Sequence, residues 1–170
     1  MEMLEVINRI RSDPVRYSQK ILELADFVKI EEQKIIFDKN GTRVGLNRGV
    51  EHFKTVAAMI SDKTNSPALE LMEDICVPIP ENFDLKDKQW QDSLMKSLKI
   101  DTGDKYSAYA INIDVGSDHA ETSLLLQIID DNKIFNGKRR DNILNPNHKY
   151  AGISYSKQKN RSIWLLIFAS

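Results

Sequence analysis

The closing run "YAGISYSKQKNRSIWLLIFAS", residues 150–170, restricts the possible folds more than any other part of this chain. Two stretches rich in β-branched and aromatic residues flank the charged "KQKNR", the pattern of a β-hairpin that ends the chain. Upstream, "KYSAYAINIDVG" alternates well enough to be a strand ending at Gly116. The segment after it, with Leu124, Leu125, Ile128 and Ile129, is so apolar that it reads as a buried helix. Strand, helix, strand, strand is not the strict alternation of a parallel βαβ sheet. It predicts an α+β fold in which helices are layered on a mainly antiparallel sheet.

The first half supplies the helices. Leu4, Ile7 and Ile10, and then Ile21, Leu22, Leu24, Ala25 and Val28, recur at three- and four-residue steps, which predicts two amphipathic helices. Between them Ser12-Asp13-Pro14 reads as an N-cap followed by a first-turn proline. "KIIFDKNGTRVGL" sets two β-rich runs around Asn40-Gly41, the dipeptide best suited to a tight hairpin turn. A calcium loop is the rival reading. It fails because the glycine falls at the fourth position rather than the sixth, and Gly49 stands where a bidentate glutamate is needed.

A helix from Asn47 to Ile60 follows, with His52 off its apolar stripe and expected in solvent. Residues 61–85, with three prolines, read as a long connection, and Leu85 to Leu98 as a helix whose Trp90 enters the core. Ser117 or Asp118 is expected to cap the later helix, Asp118 and Glu121 having capping-box spacing.

The 170 residues suffice for one core, so a single domain spanning 1–170 is expected. With 24 Lys and Arg against 25 Asp and Glu, the formal charge of −1 gives no electrostatic reason to expect nucleic acid as a partner. Cys76, the single cysteine, cannot form an internal disulfide, and no Cys/His spacing suits structural zinc. Glu2, Glu5, Asn8 and Arg9 interrupt any leader-like apolar run at the start, and no stretch approaches transmembrane length. The expectation is an intracellular protein without membrane insertion. The sequon Asn40-Gly41-Thr42 carries little weight in that setting.

The densest local chemistry lies in "GKRRDNILNPNHKYAGI", residues 137–153. Asp130-Asp131 just before it could be a metal pair, but such a run at a helix end more often solvates or caps a turn. Lys138-Arg139-Arg140 is expected to make salt bridges, with Asp141 partly compensating. No nucleophile elbow or glycine-rich phosphate loop is present.

Together, "LLLQIIDDNKIFNGKRRDNILNPNHKYAGISYS", "VINRIRSDPVRYSQKI" and "AINIDVG" resemble the CAP superfamily of cysteine-rich secretory, antigen 5 and pathogenesis-related proteins. The resemblance is in particular to the subgroup whose pattern runs IDDGV, GHRxNIL and NPxFKYVGI. Residues 62–105 match poorly.

The resemblance implies an α-β-α sandwich and a cleft in which many relatives hold two histidines and two acids able to bind a divalent metal. On the motif positions, the GHR histidine becomes Lys138, and a protonated lysine has no lone pair for a metal. The acid of the family's ENI strand becomes Ile111, ahead of Asn112 and Ile113. The other family histidine has no counterpart in residues 82–105. His119 lies outside the motifs, and His148, at the aromatic place of NPxFKY, is expected to pack. Gly137, Arg139, Asn142, Asn145, Pro146, Tyr150 and Gly152 keep the motif and read as structural, Gly137 permitting a backbone excursion and Asn145-Pro146-Asn147 a rigid turn.

The resulting expectation is a CAP-like domain with vestigial cleft positions Ile111, Asn112 and Lys138, no catalytic residues, no metal and no cofactor, acting as a structural or protein-interaction module. Heavy use of Ile, Lys and Asn suggests an A/T-rich coding genome, as in protists, and so a cytoskeletal or ciliary assembly as one setting. Two alternatives stay open: a metal-assisted hydrolase, and a lipid or sterol carrier whose groove would lie in the divergent middle segment.

Overall fold

Asp13 accepts a hydrogen bond from the Arg16 amide at 3.0 Å, and Pro14 occupies the first turn beyond it. One helix ends there and another begins. In the computed structural model, which describes residues 2–85, 88–131, 136–159 and 161–170, these are α1 (Glu2–Ser12) and α2 (Pro14–Ala25). Ile7 and Ile10 on the first, and Tyr17, Ile21 and Leu24 on the second, form their buried faces.

Val28 does not continue α2, as its spacing suggested. It opens β1 (Val28–Glu31), which pairs antiparallel with β2 (Lys34–Lys39), and that strand pairs with β3 (Thr42–Leu46). Between β2 and β3 the expected turn is present, with Asn40 at φ 49° and Gly41 at φ 77°, the handedness that matches strand twist. The β1–β2 turn uses Glu32 and Gln33, also at positive φ, although neither residue advertises it. A three-stranded meander stands where a two-stranded hairpin was expected.

Helix α3 (Val50–Ser61) begins at Val50 rather than Asn47, behind Gly49 at φ 71°, and packs against α2. The long connection contains β4 (Glu70–Leu71) and a 3-10 turn at Glu73–Ile75. Helix α4 (Lys88–Thr102) follows, burying Leu94 and Leu98. Trp90 is half-buried, edge-on to Phe83 with ring centroids 5.1 Å apart, a packing role as expected.

The remaining elements are β5 (Tyr109–Val115), α5 (Ala120–Ile129), α6 (Lys138–Leu144), β6 (Tyr150–Gln158) and β7 (Arg161–Ala169). Strands run in the order β4-β6-β7-β5, antiparallel except for β4 beside β6. The closing hairpin pairs Gln158 with Arg161, so the strands extend into the charged segment that the sequence marked as their turn.

Alternation along β7 sorts its side chains between two clusters. Leu166 and Phe168 join the cluster built by α1, α2, α3, α5 and α6. Ile163, Leu165, Ile167 and Ala169 join Ile75, Leu94 and Leu98 on the opposite face. Helices therefore cover both faces of the four-stranded sheet, and the fold is α+β. No described helix is long and apolar enough to cross a membrane.

Candidate functional site

Strand β5 has the same two-sided logic. Asn112 and Asp114 turn toward α5 and α6, whereas Ile111 and Ile113 join the cluster on the α4 face. Asn112 is buried; its Nδ2 donates to the Arg139 carbonyl at 2.9 Å, and its Oδ1 accepts from Asn142 Nδ2 at 2.8 Å. Three motif residues are thus brought together by a reciprocal amide bridge between β5 and α6. Lys138, the first residue of α6, is exposed.

Gly137 precedes it at φ 91°, where an added Cβ would lie 2.4 Å from Arg140 Nη2. The Asn145 side chain accepts the Asn147 amide at 3.0 Å, shaping the turn through Pro146. Tyr150 packs edge-to-face on Tyr106 with centroids 5.4 Å apart. At Gly152 a Cβ would sit 2.0 Å from the Ile75 carbonyl oxygen, so β6 approaches the 3-10 turn at backbone distance.

Of the two roles expected for the acids at the end of α5, the structure shows the cap and not the solvation. Asp130 and Asp131 are buried, not solvated. Asp130 caps α5 in the left-handed region at φ 45°, its amide donating to the Leu126 carbonyl at 2.9 Å. Its carboxylate accepts from Arg139 Nε at 2.7 Å and from the Arg139 amide at 3.2 Å. Asp131 Oδ2 accepts the amides of Asn47 and Arg48, the latter at 3.3 Å, while its Oδ1 has no hydrogen-bond partner.

Asp114 Oδ2 accepts from Ser123 Oγ at 2.6 Å, and its Oδ1 stands 3.8 Å from Arg139 Nη1. Burial pushes the Asp114 carboxyl above the usual carboxylate range, against the opposing pull of Ser123 and Arg139. Asp141 does not compensate the arginines: Arg139 turns to Asp130 and Asp114, and Arg140 Nη1 donates to the Ile128 carbonyl at 3.1 Å.

Around this network lies a cavity of about 210 Å³, lined by Asp114, Asp131 and Arg139 together with Val44, Leu126 and Ile129. Leu85 and Val115 line both it and a larger groove of about 1000 Å³. That groove has Phe83 and Ile163 among its apolar walls and Lys157, Lys159 and Arg161 among its cations.

The three histidines are separately engaged. His148, as expected, packs: it stacks on Phe168, and Nδ1 lies 2.9 Å from Ser170 Oγ. His119 is exposed, with Nε2 3.2 Å from the Asn40 carbonyl. His52 is half-buried rather than solvated, its Nε2 2.8 Å from the Ile129 carbonyl at the end of α5. Asp118 does not cap that helix; it accepts from Lys157 at 2.7 Å, and the amide of His119 donates to Ser117 Oγ at 3.2 Å. Among the described residues, no three His, Cys, Asp or Glu side chains gather as a metal would require.

The sequence reading missed Arg11, buried at 1% exposure. Its guanidinium donates to the carbonyls of Pro67 (2.7 Å), Ile143 (2.7 Å), Asn145 (3.0 Å) and His148 (3.1 Å), tying α1 to the end of α6 and the motif turn. A signal was present: Arg11 lies four residues after Ile7, on the apolar stripe of its helix.

The chain matches no protein-family model, no curated protein and no solved structure.

Proposed function

We propose that this chain is a CAP-like domain that acts as a non-catalytic structural or protein-interaction module in an intracellular assembly. One observation carries the reading. At the position of the family's strand motif, the Asn112 amide is committed to Arg139 and Asn142 while Ile111 is packed on the other face. Residues that would face a reactive cleft are here parts of the frame. Helices on both faces of a mainly antiparallel sheet suit the CAP-like sandwich. Lys138, exposed in place of the motif histidine, offers charge to a partner but no lone pair to a metal.

The test is cross-linking at native abundance, followed by purification. The expected result is recovery of the chain joined to a defined set of other proteins. Recovery only as a free monomer overturns the reading.

A second reading, a lipid or sterol carrier of the CAP type, draws on the larger groove, whose apolar walls suit a lipid and whose charged lining mixes Lys157, Lys159 and Arg161 with Glu81 and Asp84. Lipid extracted in stoichiometric amount from the natively purified protein would favour it over the first.

A further inference from the structure

The cavity of about 210 Å³ between β3, β5 and α5 is independent of the module reading, and its lining combines two chemistries. Two carboxylates, Asp114 and Asp131, lie among the apolar side chains of Val44, Leu126 and Ile129. Asp131 is 5% exposed, and one of its oxygens has no hydrogen-bond partner. A buried carboxylate oxygen left unpaired costs free energy on the scale of a lost charged hydrogen bond, so a donor at that point is strongly favoured.

Other ligand classes fit less well. An anion would meet the open oxygen of the Asp131 carboxylate, and the Arg139 guanidinium in the same wall is directed at Asp130 and Asp114. A divalent ion needs several converging oxygen ligands, yet Asp131 Oδ2 serves backbone amides and Asp114 Oδ2 serves Ser123. A single cationic donor attached to a short apolar stem satisfies both halves of the lining. We infer that this cavity binds an alkylammonium group, with the nitrogen at the unpartnered Asp131 Oδ1 and the stem against Val44, Leu126 and Ile129. The group comes either from a small free amine or from the tip of a lysine on another protein.

The test is a titration of the intact chain followed through backbone amide NMR signals. The probes are ethylammonium chloride and N-acetyl-lysine methylamide, with sodium chloride and sodium acetate as matched salts. Saturable shifts at Gly45, Asn47 and Val115 with the ammonium probes, and not with the salts, are expected. Ethylammonium binding the tighter identifies a free amine as the source, and the lysine amide binding the tighter identifies a protein side chain.

Asp131→Asn should weaken binding by roughly tenfold or more, the effect of losing a charged hydrogen bond. Because Asp131 also holds the Asn47 and Arg48 amides, that variant can lose stability; Leu126→Trp, which fills the cavity from the apolar side, is the second variant and should abolish the shifts. Shifts with ammonium probes no different from those with sodium chloride overturn the inference, as does saturable binding of acetate. Undiminished binding in a folded Leu126→Trp protein places the ligand elsewhere and overturns it equally.

Discussion

Arg139 Nε lies 2.7 Å from Asp130 Oδ1, and the Asp130 side chain has no solvent exposure. The pair joins the end of α5, where Asp130 is the left-handed cap, to the start of α6. Removing one member of a buried ion pair leaves the other charge desolvated, which typically costs about 3–5 kcal/mol. Asp130→Ala is therefore expected to lower unfolding stability, by less than that full amount because Arg139 keeps Asp114 3.8 Å away. Asp130→Asn should lose less, since asparagine tolerates the left-handed region and keeps an acceptor. Urea denaturation checks both, and an alanine variant within about 1 kcal/mol of the parent would show that the pair is not structural.

Gly152 and the Ile75 carbonyl pose a steric question. An added Cβ at 2.0 Å from that oxygen cannot be accommodated by rotating a side chain, because the obstacle is backbone. Gly152→Ala should push the 3-10 turn away from β6 and cost about 1–3 kcal/mol or more. The Ile153 amide donates to Cys76 Sγ at 3.4 Å just beside the contact. Displacement of the turn should accordingly speed labelling of Cys76 by a thiol reagent. Unchanged stability together with an unchanged labelling rate would contradict the close approach.

Much of the frame is legible in the sequence, because its signals are local. Asn40-Gly41 determines its own turn, Asp13-Pro14 its own helix start, and the apolar runs around residue 160 their own pairing. The misreadings come where partners are distant. Val28 follows helical spacing as well as strand spacing, and Glu32-Gln33 adopts a turn without a turn residue, so only pairing with β2 decides. Two acids in a row resemble a solvated helix end until Arg139 and the Asn47 amide arrive from elsewhere in the chain. Asn112, Arg139 and Asn142 were each visible as motif residues, but their hydrogen-bonded grouping and the cavity beside it were not, since both arise from long-range packing.

Zinc binding separates the module reading from the hydrolase alternative. Each imidazole makes its own local contact: His52 at the Ile129 carbonyl, His119 at the Asn40 carbonyl, His148 at Ser170. Gathering ligands would break several of these contacts at once. Calorimetric titration with zinc is expected to give no stoichiometric, micromolar uptake. Uptake at one ion per chain, abolished by His119→Ala or His148→Phe, would reinstate metal chemistry.

His148 also predicts a pH dependence. Burial, and next the positive charge of Arg11, hold its pKa below the ordinary 6.5. The folded state therefore resists a proton that the unfolded chain accepts. The stability attached to neutral His148 is complete above pH 6.5 and is lost as pH falls from that value toward the lower folded pKa. Asp114, shifted upward, works in the opposite sense: its folded form holds a proton more tightly than the unfolded chain, so its contribution to stability fades as pH rises. The two are separated by His148→Phe, which keeps a ring stacked on Phe168 and removes the titrating imidazole together with its pH-independent contact to Ser170. Denaturation midpoints measured from pH 7.5 downward should fall more steeply below about 6.5 for the parent than for the variant. Parallel curves through that window would mean that His148 titrates equally in both states, and the buried stack on Phe168 would have to be abandoned.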